Sequence, residues 1–338
     1  MMDTYQFVPI LVVGFATALG ITPLSRALAL RLGVVDKPNQ RKIHRDHKPL
    51  MGGLALYTGF ALALLLFSPS QHMAEFGAIV GGATFLALVG LADDRFMLGI
   101  RIRMVAQTVA ALVLIAIGIQ IRLFAVSWLD IPLTILWVVG LTNALNFLDN
   151  MDGQAAGVTA IAAGWFTLIA FNEGLTLVSA LSAALTGSAI GFLTYNFNPA
   201  STFMGDMGSL VLGFVLATVG IKLEFGAQPL GVTWMVPLLV LAMPLFDTTL
   251  VVITRISEGR SPFEGGKDHV SHRLLNLGLT QRQVLLIIYA FCALYGGLGM
   301  AVSIAPPETA WAIGIGALVL LIPLFPVMFA LRRRMQHG

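Results

Sequence analysis

Long apolar runs with few charges alternate with short polar gaps along almost the whole chain. The runs fall at 7–32, 51–68, 75–92, 104–121, 131–148, 155–171, 174–195, 207–224, 232–254, 284–304 and 309–331. A helix crosses the hydrocarbon layer of a bilayer in about 20 residues, so this pattern predicts about eleven transmembrane helices. Each gap carries charge, Pro, Gly or Asn punctuation. The divisions at Asn172-Glu173-Gly174 and around Arg122–Asp130 carry the least of it. Runs of this length favour helices over a transmembrane barrel, which shows only short alternating segments.

Composition narrows the class. Of 338 residues, 57% are hydrophobic and 11% charged, against about 25% charged in a soluble domain. No soluble surface can be built from so few polar groups. A water-soluble enzyme, a disordered chain and a nucleic-acid binder are therefore excluded. Cys292 is the only cysteine, which excludes a disulfide framework and a thiolate metal site. The expectation is an all-α polytopic membrane bundle forming one integral membrane domain over 1–338. The first span lacks a basic segment before it and carries Arg26 and Arg31 at its end, unlike a cleavable signal peptide.

Charge gives the bundle an orientation. The gaps at 33–50, 93–103, 149–154, 196–206 and 255–283 and the tail 332–338 hold sixteen Lys and Arg, whereas the opposite set holds one, Arg122. By the positive-inside rule the first set is cytoplasmic, with the N-terminus outside and the C-terminus inside. The same side holds Asp93, Asp94, Asp149, Asp152 and Asp206, with His269, His272, Arg41, Lys42, His44, Arg45 and Lys48. An ion pathway places ionisable groups through the membrane depth. A single layer at one interface instead suggests a site that works on a substrate from the cytoplasm.

Four segments carry the candidate chemistry. Asp93-Asp94 closes the third run; adjacent carboxylates on a helix point about 100° apart, so one can ligate a metal while the other takes a proton or orients a ligand. A polar helix end with Arg95 pairing locally is the alternative. Asn143, Asn146, Asp149 and Asp152 recur every three residues. If helical, they share a drifting face whose oxygens suit Mg²⁺ and a nucleotide; a capped turn at Asp152-Gly153 is the alternative. Asp206 lies between Gly205 and Gly208 at a helix start, where backbone N–H groups favour anions, though Asp206 can simply cap that helix. The basic loop Gly265-Gly266-Lys267-Asp268-His269-Val-Ser-His272-Arg273 suits phosphate contact. Lipid head groups compete for Arg255, Arg260 and Arg332–Arg334. Asp247, about two turns inside the ninth run, needs a partner or water; it is read as second-shell support for the site or as a protonated structural acid.

The ordered set of motifs is specific where each alone is weak. Asp93-Asp94, Asn146-xx-Asp149-xx-Asp152-Gly153, Phe203-Met-Gly-Asp206-Met-Gly-Ser-Leu and His269-xx-His272-Arg273 together resemble the polyprenyl-phosphate N-acetylhexosamine-1-phosphate transferases, and the WecA/TagO branch more than the MraY branch. Asp36-Lys-Pro-Asn-Gln-Arg41-Lys42-Ile-His44, Pro49-Leu-Met-Gly52-Gly53 and Pro244-Leu-Phe-Asp247-Thr extend the match over 36–273. Eleven spans with the N-terminus outside is that family's topology.

The resemblance implies transfer of a sugar 1-phosphate, foremost N-acetylglucosamine 1-phosphate, from a UDP-sugar to undecaprenyl or another polyprenyl phosphate, releasing UMP. It implies Mg²⁺, with Mn²⁺ as a substitute, at a cytoplasmic-face site in the cell (inner) membrane. Asp93 and Asp94 would handle the lipid phosphate, Asp149 and Asp206 would ligate the metal, and Asp152 would sit nearby or contact the nucleotide. Asn196 and Phe203 match positions lining a uridine pocket, and His269 and His272 match a histidine motif near the diphosphate. Asn143, Asn146, His44, Arg45, Lys48, Arg101, Arg103 and Arg273 complete the expected substrate contacts. Ser271 replaces a histidine common in that branch, and the loop before it, Glu264-Gly-Gly-Lys267-Asp268, varies within the family. Both departures bear on sugar choice. Membrane lipid is the remaining expected partner, and a homodimer stays open. A transporter of a polyprenyl-linked or nucleotide ligand is the competing class; it would show inverted repeats or broken helices at mid-membrane, and only Pro237, Pro244 and Asp247 hint at that.

Overall fold

The computed structural model describes residues 7–36, 48–67, 72–223 and 230–336. They are helical apart from short turns and one two-residue strand pair, so the all-α membrane architecture is as expected. Two compact units divide the chain near residue 224.

The first unit contains α1 (Phe7–Leu32), β1 (Val35–Asp36), β2 (Lys48–Pro49), α2 (Gly52–Leu66), α3 (Met73–Phe96), α4 (Ile100–Ala116), α5 (Ser127–Leu148), α6 (Gln154–Asn172), α7 (Thr176–Asn196) and α8 (Gly205–Lys222). The strands pair antiparallel, with Val35 opposite Pro49 and Asp36 opposite Lys48. α7 packs against α1 and α6, and α8 against α3 and α5. These two helices form the centre: their apolar windows are 83% and 78% buried, against 22% for α1. α7 can sit there because it is rich in Ala, Ser, Gly and Thr, whose small side chains let helix backbones approach. Two of its buried hydroxyls bond back one turn, Thr186 Oγ1 to the Ser182 carbonyl at 2.8 Å and Ser188 Oγ to that of Ala184 at 2.7 Å, so those two donors stay satisfied inside the bundle.

The second unit contains α9 (Leu230–Thr233), α10 (Met235–Val240), α11 (Ala242–Ser257), α12 (Val270–Leu275), α13 (Gln281–Ile304), α14 (Pro307–Leu321) and α15 (Leu324–Gln336). α13 packs against α10 and α14.

Each of the eleven predicted spans has a helical counterpart, but they are not equivalent. Among the described residues eight helices are long and apolar enough to cross a membrane, or nine if one bent pair counts as a span. α2 and α4 have 15 and 17 residues, about 22 and 25 Å at 1.5 Å per residue, short of the hydrocarbon thickness. The ninth predicted span is not a continuous helix: it bends by 76° between Val240 and Ala242. Pro244 supplies the cause, since it lacks the N–H that would bond to the Val240 carbonyl and its ring crowds that carbonyl.

Candidate active site

α3 ends one turn after it has delivered Asp93 and Asp94. Met97 takes a left-handed conformation, φ 52°, and its N–H bonds to the Asp93 carbonyl at 2.8 Å. That geometry stops the helix and fixes both acids on its last turn. The two then separate in their contacts.

Asp94 turns toward α8. Its Oδ1 accepts the backbone N–H of Asp206 at 2.8 Å and its Oδ2 that of Met207 at 3.2 Å. A carboxylate from one helix therefore caps the N-terminus of another, where unpaired N–H groups and the helix dipole favour negative charge. The approach requires glycine twice. A Cβ on Gly90, one turn before Asp94, would lie 2.5 Å from the Asp206 carbonyl; on Gly205, φ 68°, it would collide with the Asp94 carboxylate. The alternative reading of Asp206 as its own helix cap does not hold: α8 shows no side-chain cap of its own, because Asp94 performs that task.

Asp206 is thereby left to face the other way. Its Oδ1 accepts from Asn146 Nδ2 at 2.8 Å, and Asn146 also donates to Ser209 Oγ at 2.9 Å. Arg103, on the first turn of α4, bonds through Nη1 to Asp206 Oδ2 and lies 3.2 Å from Asp93 Oδ2. One guanidinium thus bridges two carboxylates that would otherwise repel. Asp93 Oδ1 and Arg103 Nε are buried with no hydrogen-bond partner among the described residues. Native proteins pair nearly all such atoms, so two in one cluster mark a place where a ligand completes the bonding.

The polar residues at the end of α5 do not share one face. α5 stops at Leu148, Asp149 caps its C-terminus, and Asp152 lies in the following turn. Asn143 is buried instead against α4, donating to Gln107 Oε1 at 2.6 Å and to the Val139 carbonyl at 2.8 Å. The Asp149 carboxyl is pushed up to about 7 by burial, with the charges of Asp206, Asp152 and Asp36 adding. Asp152 Oδ2 accepts from Asn198 Nδ2 at 3.1 Å and from Ala200 N–H at 2.9 Å. Asn196 accepts from Gly153 N–H at 3.1 Å and donates to the Thr202 carbonyl at 3.0 Å. Asp152 and Asn196 therefore tie the 149–153 turn to the loop before α8. Phe203 joins that loop to the start of α2: its N–H donates to the Pro49 carbonyl at 2.8 Å and its carbonyl accepts from Gly52 at 2.9 Å. Lys48 sits on β2 and Arg101 is exposed on α4. His44 and Arg45 lie outside the described residues.

The second unit holds its own polar cluster. Asp247, fully buried on α11 beyond the bend, lies 2.7 Å from His269 Nδ1 and accepts the Val270 N–H at 2.7 Å. A carboxylate at Nδ1 fixes the imidazole ring and directs Nε2 the other way. His272 stands beside it, ring centroids 6.0 Å apart; burial pushes its pKa down to about 4, with His269 and Lys267 adding. Asp268 is the hub of this cluster, accepting from Arg255 Nε at 2.9 Å, from Arg260 Nη2 at 2.9 Å and from Arg332. Although burial opposes it, these guanidinium groups hold the Asp268 carboxyl well below the usual range. Arg273 is fully buried and engaged by the chain: Nε to the Asp268 carbonyl, Nη1 to that of Met328, Nη2 to Thr254 Oγ1. Arg255 and Arg332 are therefore not lipid head-group contacts, since internal acids neutralise them. Sequence reasoning assigned Glu258 and Ser209 no role and placed Asp268 only in the variable loop before the histidines. The readable signal for Asp268 and Glu258 was an acid inside a basic loop; for Ser209 it was its place one helical turn after Asp206.

Among the described residues no three His, Cys, Asp or Glu side chains form a ready-made metal cage. Mg²⁺ rarely needs one, because it is commonly held by one or two carboxylates with substrate phosphates and water. The candidate ligand atoms in the first cluster are the carboxylate oxygens of Asp206 and Asp93, and the orphaned Asp93 Oδ1 is an unused anionic ligand, so the cluster fits a hard divalent cation.

Known sequences resemble this chain over most of its length. The profile of glycosyl transferase family 4 matches residues 76–224, which include both Asp93-Asp94 and Asp206. A probable undecaprenyl-phosphate N-acetylglucosaminyl 1-phosphate transferase of Bacillus subtilis is 35% identical, covering 82% of this chain and 80% of its own. A decaprenyl-phosphate N-acetylglucosaminephosphotransferase of Mycolicibacterium smegmatis is 33% identical over 90% and 84%. An undecaprenyl-phosphate alpha-N-acetylglucosaminyl 1-phosphate transferase of Yersinia pestis is 26% identical over 82% and 79%.

Proposed function

This chain belongs to glycosyl transferase family 4, and from that premise we propose that it transfers N-acetylglucosamine 1-phosphate from its UDP-sugar to a polyprenyl phosphate. An oxygen of the lipid phosphate bonds to the sugar-bearing phosphorus, the bond from that phosphorus to UMP breaks, and the products are the polyprenyl diphosphate sugar and UMP. The site faces the cytoplasm in the cell membrane, where the sixteen basic residues of the inner gaps support that orientation. The relatives' names supply the substrate classes.

The observation that carries this reading is the Asp93–Arg103–Asp206–Asn146 cluster. Phosphoryl transfer demands positioning and charge neutralisation more than covalent chemistry from the protein. A phosphomonoester has its second pKa near 6, so the lipid nucleophile is largely ionised at pH 7. Asp93, with one oxygen unpaired, takes the residual proton. Arg103 offsets anionic charge, and Asp94 holds the start of α8 so that Asp206 faces the substrate. Mg²⁺, or Mn²⁺ in its place, would be held by Asp206 with Asp149 and supplies charge neutralisation between two anionic phosphates. The exposed Lys267 and a neutral imidazole in the 265–273 loop suit diphosphate contact, whereas Arg273, expected there, is engaged by the chain itself. The broken ninth span, which the transporter reading would need, is explained by Pro244 and by the Asp247–His269 pair it presents.

The test is release of UMP by the purified protein given undecaprenyl phosphate, Mg²⁺ and UDP-N-acetylglucosamine, UDP-N-acetylgalactosamine or a UDP-diacetamido sugar. UMP with the first identifies the reaction and the sugar. No UMP with any of them overturns the reading.

A further inference from the structure

One face of the C-terminal helix is fastened to the histidine loop. Phe325, Met328, Phe329 and Arg332 stand at i, i+3, i+4 and i+7 on α15, a single stripe. The Phe325 ring lies 4.6 Å from that of Phe246 on α11, next to Asp247. The Met328 carbonyl accepts from Arg273 Nη1 at 2.7 Å, and the Arg273 guanidinium lies 5.5 Å from the Phe329 ring centroid. Arg332 closes the stripe with a two-point bond to Glu258, Nε to Oε1 at 2.6 Å and Nη2 to Oε2 at 2.8 Å, while its Nη1 bonds to Asp268.

Every partner on that list belongs to the segment that carries His269 and His272, or to the helix beneath it. Asp268 immediately precedes His269. Arg273 immediately follows His272 and reaches back to the Asp268 carbonyl and to Thr254. The loop between α11 and α13 contains only the six-residue helix α12, which by itself is too short to be stable. A loop of that kind holds two imidazoles in one geometry only if something outside it supplies the constraint. The two-point Arg332–Glu258 bond fixes distance and angle together, as a planar fork does and a point charge does not. Arg332 is 15% exposed and Asp268 3%, so solvent screens the cluster less than a surface pair.

We propose that α15 is the positioning element of the His269–His272 segment, with Arg332 as its positioning residue. This rests on the reading in which that segment contacts the diphosphate. Arg332 touches no substrate; it acts through Glu258 and Asp268 on the backbone that presents the imidazoles.

The experiment compares Arg332→Gln, Arg332→Lys and Glu258→Gln in the full-length protein in detergent, reading hydrogen exchange of the 258–276 amides, melting temperature, and kcat and KM for each substrate. Arg332→Gln is expected to raise exchange across 258–276 but not at α3 or α8. It should lower kcat about tenfold and leave KM for polyprenyl phosphate unchanged. Arg332→Lys should recover part of both the protection and the rate, and Glu258→Gln combined with Arg332→Gln should be no worse than Arg332→Gln alone. Unchanged exchange at 258–276 in Arg332→Gln overturns the proposal. So does raised exchange with wild-type kcat, or a general fall in melting temperature that Lys does not rescue. If the wild-type protein releases no UMP, the proposed reaction fails, while the exchange comparison still decides whether α15 holds the loop.

Discussion

The carboxylate of Asp94 caps α8 through the backbone N–H of Asp206, 112 residues further along the chain. Two acids drawn to one place would repel, but here the contact is from carboxylate to backbone N–H, so the Asp206 side chain is free to point elsewhere. The adjacent Asp93 meets Arg103 and the open side of the cluster. Neighbouring carboxylates on one helix turn are thereby divided between a helix cap and an ion pair.

That division can be measured. Asp94→Ala is expected to cost about 1–2 kcal/mol of stability, as loss of a helix cap does, visible as a lower melting temperature together with lost turnover. Asp93→Asn should lose turnover with a smaller fall in melting temperature, because the carboxylate of Asp94, not that of Asp93, holds the N–H groups of Asp206 and Met207 at the start of α8. Equal thermal shifts in the two variants would show that the assignment is wrong.

Arg103 occupies the space between Asp93 and Asp206. Arg103→Gln leaves those carboxylates without a counter-charge, so the variant should melt below wild type in EDTA and gain more from added Mg²⁺ than wild type does. Ligand binding to the folded state raises apparent stability, and the larger gain reports relief of a larger repulsion. Melting curves across a Mg²⁺ titration check this; parallel responses would contradict it.

His272 ties stability to pH. Its folded pKa, pushed down to about 4 by burial, lies below the unfolded value near 6.5. Between those values the unfolded chain binds the extra proton, so stability rises with pH through that window. Acidification from pH 6.5 to 4 should therefore lower the melting temperature, and the loss should level off below pH 4. His272→Gln should flatten that part of the profile.

Asn196 bridges Gly153 and Thr202 from a buried position. Asn196→Ala removes both bonds, at a cost of about 1–3 kcal/mol. Faster hydrogen exchange at Gly153, with a rise in KM for the UDP-sugar, is the expected result. Protection unchanged at Gly153 would remove Asn196 from that role.

Much of the fold was legible because the bilayer imposes it. Apolar runs long enough to span must be helical, and the helices at Phe7–Leu32, Gln154–Asn172 and Gly205–Lys222 begin and end within about two residues of their runs. The break near Leu241 was visible only as two prolines, since hydropathy averages over a bend. The periodicity of Asn143, Asn146, Asp149 and Asp152 misled for a related reason. A three-residue repeat defines a face only while the helix continues, and α5 stops before Asp149.

What the sequence by itself determined is a membrane helix bundle with its acids at one edge, because local chain length and charge decide both. It also named the residues of the cluster, since carboxylates at a membrane edge are too costly to be incidental. Which carboxylate does what was decided only by tertiary structure. Asp93 and Asp94 are chemically identical neighbours; the 100° between them turns one toward the bare N–H groups of α8 and the other toward Arg103. Arg332, open in sequence to a lipid head group, and Arg273, expected at the substrate, instead bond a loop to the C-terminal helix because folding brings Glu258, Asp268 and the Met328 carbonyl within hydrogen-bond reach.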